Sequence, residues 1–188
     1  MQQVTLGILG LGTVGGGVVN VLRRNADTIR RRANADITIK SALVKDINQS
    51  RICDCSDIHL TSNADDVIND SDIDVVVELI GGTTLAKKLI EQAIKNGKHI
   101  VTANKALIAL HGNELFAMAE EQGVTIAYEA SVAGGIPIIK ALREGLVAND
   151  VAFIAGIING TGNFILTEML DKGRSFEDVL AEAQELGY

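Results

Sequence analysis

The 188-residue sequence predicts an α/β fold: a doubly wound parallel sheet over residues 1–130, then the beginning of a second, α+β domain over 131–188. Three observations lead there. Short apolar, β-rich runs alternate with segments of helical periodicity at close spacing, the pattern of parallel strands joined by crossover helices. Hydrophobic content is 47% but aromatic content only 3%, so the core is Val, Ile, Leu and Ala, as in strands buried on both faces. The first apolar run, Val4 to Leu9, ends in Gly10-Leu11-Gly12-Thr13-Val14-Gly15 and then becomes helical, giving strand, glycine-rich turn and helix.

That turn has a chemical logic. Gly10 permits the tight reversal, Gly12 lets backbone approach a pyrophosphate, and Gly15 lets the helix lie close on the sheet. The helix N-terminus adds free N–H groups and a partial positive charge. Gly16 and Gly17 extend the run at about 1 kcal/mol each relative to alanine, which implies close approach there. The element is thus the phosphate end of a Rossmann-type dinucleotide site, against the plainer alternative of a βα turn that holds no ligand.

The first helix is expected to run on to Arg32, and Ile37 to Val44 is the second strand. Past it come Lys45 and Asp46, where this fold selects its ribose: a cation welcomes the 2′-phosphate of NADP, an acid the 2′-hydroxyl of NAD. Lys45 comes first, which favours accepting NADP, although either side chain could turn inward. Residues 49–70 are polar and acidic and read as loop, edge strand and short helix. Asp74 to Ile80 is a buried strand ending at Gly81-Gly82, and Thr83 or Thr84 caps a helix closed by Gly97. His99 to Thr102 is the next strand, a helix covers roughly Asn113 to Gln122, and Val124 to Tyr128 is a further strand. Beyond residue 129, Pro137 opens a helix to about Leu146, Val151 to Ile158 reads as a strand, and Asn159-Gly160-Thr161-Gly162-Asn163 turns into another helix. The last helix opens at Ser175 with Asp178 three residues on, an acidic capping pair.

Composition excludes several classes. A net charge of −7 and a pI near 4.9 disfavour nucleic acid. Arg23, Arg24 and Arg30 to Arg32 form one basic cluster, read as solvated and favourable at a helix C-terminus. Cys53 and Cys55 are too few for a disulfide framework, and with His59 they make a metal trio lacking a fourth ligand, against the plainer reading of a loop and short strand. With no signal sequence and no run of about 20 apolar residues, the chain reads as cytoplasmic and without membrane partners.

Lys105 follows a strand's carboxyl end, where open α/β sheets bind ligands. Small and apolar neighbours suggest a partly buried ammonium, suited to a substrate anion or to proton transfer, against the default of a solvated loop lysine.

With GLGTVG at Gly10 to Gly15, ELIGG at Glu78 to Gly82, VTANKAL at Val101 to Leu107, YEASVAGGIPII at Tyr128 to Ile139 and GIINGTGNFIL at Gly156 to Leu166, the chain resembles homoserine dehydrogenase from residue 4 to 188. The last three motifs are more specific than the glycine fingerprint. The resemblance implies NAD(P)-dependent interconversion of L-homoserine and L-aspartate 4-semialdehyde, in threonine, methionine and isoleucine biosynthesis, by a homo-oligomer (a dimer or tetramer).

It also implies site roles. Leu11, Gly12, Thr13 and Val14 contact the pyrophosphate, and Gly81 lies on the nicotinamide side. Lys105 meets both cofactor and substrate and is the candidate for proton transfer. Gly160, Thr161 and Tyr188 edge the substrate pocket, with Gly187 at the cofactor. A monovalent cation, usually sodium, is held at Glu129, Val132, Gly134 and Ile136, largely by carbonyl oxygens; without the resemblance this stretch reads as a plain Gly-Pro helix entry. The family continues past its ELGY motif into an acid-rich segment with substrate carboxylates and a second essential lysine, which these 188 residues do not contain. The chain therefore reads as a truncated enzyme expected to bind cofactor but turn over poorly. Two alternatives stand beside it. A semialdehyde- or glyceraldehyde-phosphate-type dehydrogenase would need an activated cysteine near the nicotinamide, and Cys53 and Cys55 fall in the wrong part of the chain. A nucleotide-binding module without catalysis is the other.

Overall fold

The structure, a computed structural model, describes residues 1–186. Six parallel strands form one sheet in the order β3-β2-β1-β4-β5-β6. They are β1 (Gln2–Leu9), β2 (Ala35–Leu43), β3 (His59–Thr61), β4 (Val75–Glu78), β5 (His99–Thr102) and β6 (Ile126–Ala127). The order reverses direction between β1 and β4, which opens a crevice at the carboxyl ends of those two strands. Alternation along each strand sends neighbouring side chains to opposite faces. Leu6 and Ile8 join Val19, Ala42, Val44 and Val77 on one face, while Leu9 and Val76 join Ile68, Ile90, Ile94, Ile100 and Leu115 on the other.

The helices cover both faces. They are α1 (Thr13–Arg24), α2 (Ala26–Ala33), α3 (Asp65–Ile68), α4 (Thr84–Lys95) and α5 (Lys105–Glu121). Two helix boundaries differ from expectation. The helix expected to reach Arg32 is broken at Asn25, whose backbone leaves the helical region (φ −107°, ψ 15°) and which ends α1 while starting α2. Asparagine competes with helical hydrogen bonding, and in the last turn of α1 Arg23 donates to the Asp54 carbonyl and the Asp57 carboxylate. The helix expected at Asn113 starts eight residues earlier, at Lys105, because Asn104 caps it and Gly112 is carried through its interior, buried beside Ile108 and Phe116.

The chain divides into two compact units after Leu142. The first unit thus keeps a 3₁₀ turn (Glu129–Ser131) and the short α6 (Ile138–Lys140), which precedes a π-helical turn at Ala141–Gly145. The second unit, from Arg143, is built on α7 (Gly160–Lys172) and α8 (Phe176–Glu185), closed over Ile165, Val179 and Ala183 and tied by Arg174 to Glu168 and Glu182. Ser175 caps α8 by accepting from the Asp178 N–H at 3.2 Å, as the spacing predicts. Val151 to Ile158, expected as a strand, is irregular and exposed, with Phe153 at 82% and Ile157 at 80%. A strand needs a neighbour to pair its backbone, and the described residues of this unit contain none.

Candidate functional site

The carboxyl ends of β1, β2 and β4 enclose an open cleft of about 880 Å³ within the first unit. Its floor is the β1–α1 turn. Gly10 takes the left-handed conformation (φ 98°), and a Cβ there would sit 2.9 Å from the Leu79 carbonyl oxygen. At Gly15 a Cβ would come within 2.2 Å of the Gly10 carbonyl oxygen, so only glycine lets α1 start this close to its own turn. Gly12 is the opposite case: a side chain would meet nothing within 4 Å, because this position faces the cleft. Gly12 is also the N-cap of α1 with no side-chain cap, leaving the first-turn N–H groups without the partner a Ser or Asp would supply. Those donors and the helix dipole are where an anion binds best. Gly16 is needed for packing, since its Cβ would lie 2.6 Å from Ile52, but Gly17 faces open space and does not share that role.

Of the cofactor residues expected from sequence, Gly10, Leu11, Gly12, Thr13, Lys45 and Gly81 line this one cleft. Val14, 59% exposed, and Gly15 follow in the first turn of α1. Lys45 is exposed just past β2, whereas the Asp46 carboxylate is drawn into its own loop by the Asn48 N–H at 2.9 Å. Sequence reading missed Arg51. Its guanidinium donates to the carbonyls of Asp46, Ile47 and Gln49, holding the 46–51 loop beside the cleft, and its buried Nε has no hydrogen-bond partner among the described residues. Five arginines in one stretch masked this isolated one, whose neighbours are unremarkable loop residues.

At the other end of the cleft, Gly81 and Gly82 both have positive φ (72° and 71°). The preceding residue but two, Glu78, is fully buried at the last position of β4, and its carboxyl oxygens accept from the N–H groups of Ile80 and Gly81 and from the Thr102 hydroxyl at 2.7 Å. Asn104 donates through Nδ2 to the Gly82 carbonyl at 2.7 Å and caps α5 through Oδ1. Lys105 is the first residue of α5. It is exposed, which corrects the expectation of a partly buried ammonium: Asn104 and Leu107 are the inward-facing neighbours. A cation at a helix N-terminus is disfavoured by about 0.3–1 kcal/mol, so Lys105 does not stabilise this helix.

Glu129 opens the 3₁₀ turn, and its carboxylate accepts from the backbone N–H groups of Ile139 and Lys140 at 2.9 and 2.8 Å, capping α6. Ala133 (φ 44°) and Gly135 (φ 83°) then fold Val132, Gly134 and Ile136 into a tight turn. The Glu129 and Ile136 carbonyls accept from Val132 and Ile138, and each carbonyl oxygen retains a second lone pair. Gly160 and Thr161 open α7 in the second unit, behind the Asn159 cap. Gly187 and Tyr188 lie outside the described residues.

The cysteines are not built as a nucleophile. Their sulfurs lie 3.6 Å apart, and burial, then the Cys53 thiol, push the Cys55 thiol up from its ordinary value. No group of three His, Cys, Asp or Glu side chains suited to a metal ion occurs among the described residues, and no helix among them is long and apolar enough to cross a membrane.

Comparison with known proteins gives a consistent result. The family model described as "Homoserine dehydrogenase, NAD binding domain" matches residues 10–129, and that described as "Homoserine dehydrogenase" matches residues 137–188. Over its whole length the chain is 61% identical to homoserine dehydrogenase of Pseudomonas aeruginosa and 47% identical to that of Bacillus subtilis, covering 43% of each. A crystal structure of a homoserine dehydrogenase from Thiobacillus denitrificans superposes with a TM-score of 0.93 at 57% identity, over 100% of this chain and 43% of that one. The Staphylococcus aureus enzyme gives 0.81 at 40% identity, over 100% and 45%. The chain thus spans less than half the length of these relatives.

Proposed function

The chain belongs to the homoserine dehydrogenase family, with a nicotinamide dinucleotide as its cofactor, and we propose that it supplies the cofactor half of an enzyme interconverting L-homoserine and L-aspartate 4-semialdehyde. The observation that carries this reading is the cleft at the β1/β4 switch point, floored by a helix N-terminus that no side chain caps and by a glycine whose missing side chain would face the open cleft.

When bound, the nicotinamide takes or gives the hydride. The chain's residues do the rest. Leu11, Gly12, Thr13 and Val14 hold the pyrophosphate through backbone N–H groups, with Gly10 and Gly15 shaping the turn. Lys45 receives the 2′-phosphate of NADP; its exposure beside the cleft and the engagement of Asp46 within its own loop favour NADP over NAD. Gly81 borders the nicotinamide. Lys105 orients the substrate and moves the proton at its C4 oxygen, held there at the start of α5.

Residues 1–130 form the cofactor domain in this reading, and 131–188 begin the substrate and dimerisation domain of a cytoplasmic homo-oligomer in threonine, methionine and isoleucine biosynthesis. Gly160, Thr161 and Tyr188 edge the substrate pocket, and Gly187 the cofactor. The hard oxygens of the Glu129, Val132, Gly134 and Ile136 turn suit a monovalent cation such as sodium, which would brace this connection.

Substrate must be held at near-attack distance, where a misplacement of about 1 Å can lower the rate 100-fold. The 188 residues supply few anions for homoserine's ammonium at this cleft, so they are expected to bind cofactor and to oxidise homoserine only at background rate. Joining them to the unmatched remainder of the P. aeruginosa relative is expected to produce homoserine-dependent reduction of NADP. Robust turnover by the 188 residues alone, or none by the joined protein, would contradict this division.

A further inference from the structure

We propose, on the reading of this cleft as a nicotinamide site, that Glu78, Thr102 and Asn104 are positioning residues that lock the Gly81–Gly82 turn to Lys105. None of the three is needed to bind the phosphates. In this fold the adenosine half lies toward the end of β2, beside Lys45, and the pyrophosphate lies over the β1–α1 turn. The remaining half of the cofactor must then extend over the end of β4, onto Gly81 and Gly82.

Two loops from different strands meet there, and a single hydrogen-bond chain joins them. Glu78 is 0% exposed, in a strand otherwise made of valine. One of its oxygens gathers the N–H groups of Ile80 and Gly81 at 3.0 and 3.1 Å, which shapes the turn. Its other oxygen takes the Thr102 hydroxyl at the end of β5. The Thr102 oxygen in turn accepts the Asn104 N–H at 3.0 Å, and the Asn104 amide returns to the Gly82 carbonyl at 2.7 Å. The loop is closed. The same Asn104 caps α5 by accepting from Leu107, so it sets the direction in which Lys105, the next residue, leaves the sheet. Ser131 donates to the Thr102 carbonyl at 2.9 Å and ties the 3₁₀ turn to the same point. A buried carboxylate that only filled space would be replaced at no loss by an apolar residue, since burying its charge is unfavourable. Here one oxygen fixes the backbone of the Gly81 turn, and the other fixes the Thr102 hydroxyl, which in turn accepts the Asn104 N–H.

The test separates positioning from helix capping. Asn104→Ser keeps a side-chain oxygen for the Leu107 N–H but deletes the donor to Gly82; Asn104→Asp keeps the cap and sets an acceptor against that carbonyl. Binding of NADPH and of 2′-phospho-ADP-ribose, which lacks the nicotinamide, is measured by calorimetry on the full 188-residue chain. Both variants are expected to weaken NADPH by about tenfold, the effect of one part-buried hydrogen bond, with 2′-phospho-ADP-ribose unchanged and the thermal midpoint of the unliganded chain lowered by only a few degrees. Equal weakening of both ligands, or no change in either, would overturn the proposal while leaving the cofactor site standing. Failure of the unaltered chain to bind either ligand would overturn the cofactor reading and this proposal with it.

Discussion

Gly12→Val separates the binding role of the glycine turn from its folding role. The folded chain has room for the side chain: a Cβ at Gly12 meets nothing within 4 Å, and the backbone (φ −82°, ψ −153°) is one any residue adopts. The stability loss is that of a poorer N-cap, about 1 kcal/mol or less. The added atoms, however, occupy the space over the first N–H groups of α1, at Thr13 and Val14. Displacing a pyrophosphate from two charge-assisted hydrogen bonds of about 1.5–3 kcal/mol each removes roughly 3–6 kcal/mol, a loss of at least about 100-fold in affinity. Gly15→Ala is the counterpart. Its methyl would sit 2.2 Å from the Gly10 carbonyl oxygen, and backbone must move to relieve that, at a cost of about 1–3 kcal/mol in stability. NADPH titration by fluorescence with urea unfolding on the same samples reads both quantities. Gly12→Val is expected to lose binding at nearly full stability, and Gly15→Ala to lose stability first. Unchanged NADPH affinity in Gly12→Val would refute the placement of the pyrophosphate on this turn.

Other perturbations report on separate parts of the account. Lys45→Ala is expected to weaken NADPH by about 1–2 kcal/mol more than NADH, and equal losses would mean that Lys45 does not meet the 2′-phosphate. In the protein joined to the remainder of the P. aeruginosa relative, Lys105→Ala is expected to lower kcat for homoserine oxidation by about 100-fold or more, a larger loss than any in NADPH affinity; near-normal kcat would remove Lys105 from the proton path. The Asp70 carboxyl is held below its ordinary range first by the paired Lys40 ammonium at 2.6 Å and then by the Asp72 N–H. With the folded pKa below the unfolded value of about 3.9, that pairing stabilises the fold above pH 4 or so and is lost as pH falls toward the folded value. Asp70→Asn should therefore make the urea midpoint less sensitive to pH on the acid side, and an unaltered acid slope would show that the pair contributes nothing.

Residues with a local signature could be read from the sequence; those that act through distant partners could not. The β1–α1 turn was legible because each glycine answers a constraint within a few residues: a reversal at Gly10, contact with that carbonyl at Gly15, an open face at Gly12. The place of Lys45 at the cleft was legible from its position after β2, but the hydrogen bond that engages Asp46 with the Asn48 N–H is a contact that spacing does not reveal. The helix from Lys105 runs longer than local pattern indicates, carrying Gly112 in its interior where Ile108 and Phe116 pack beside it, a contact that spacing does not reveal. Glu78 carried one signal, an acid at the end of a valine strand, but Thr102, which donates to it, and Asn104, which donates to Gly82, each lie more than 20 positions from the residue they bond. Val151 to Ile158 has the composition of a strand without a neighbour to pair with, and β-propensity describes a pleated, half-buried surface rather than an isolated segment.

The central claim is that these 188 residues bind a nicotinamide dinucleotide at the β1/β4 switch point without help from any further segment. Titration of the purified chain with NADPH, followed by the fluorescence of the reduced nicotinamide, tests it most directly. Saturable binding of one NADPH per chain, competed by NADP and abolished by Gly12→Val, is the expected result. A folded chain that leaves the NADPH signal unchanged across the titration would contradict the claim.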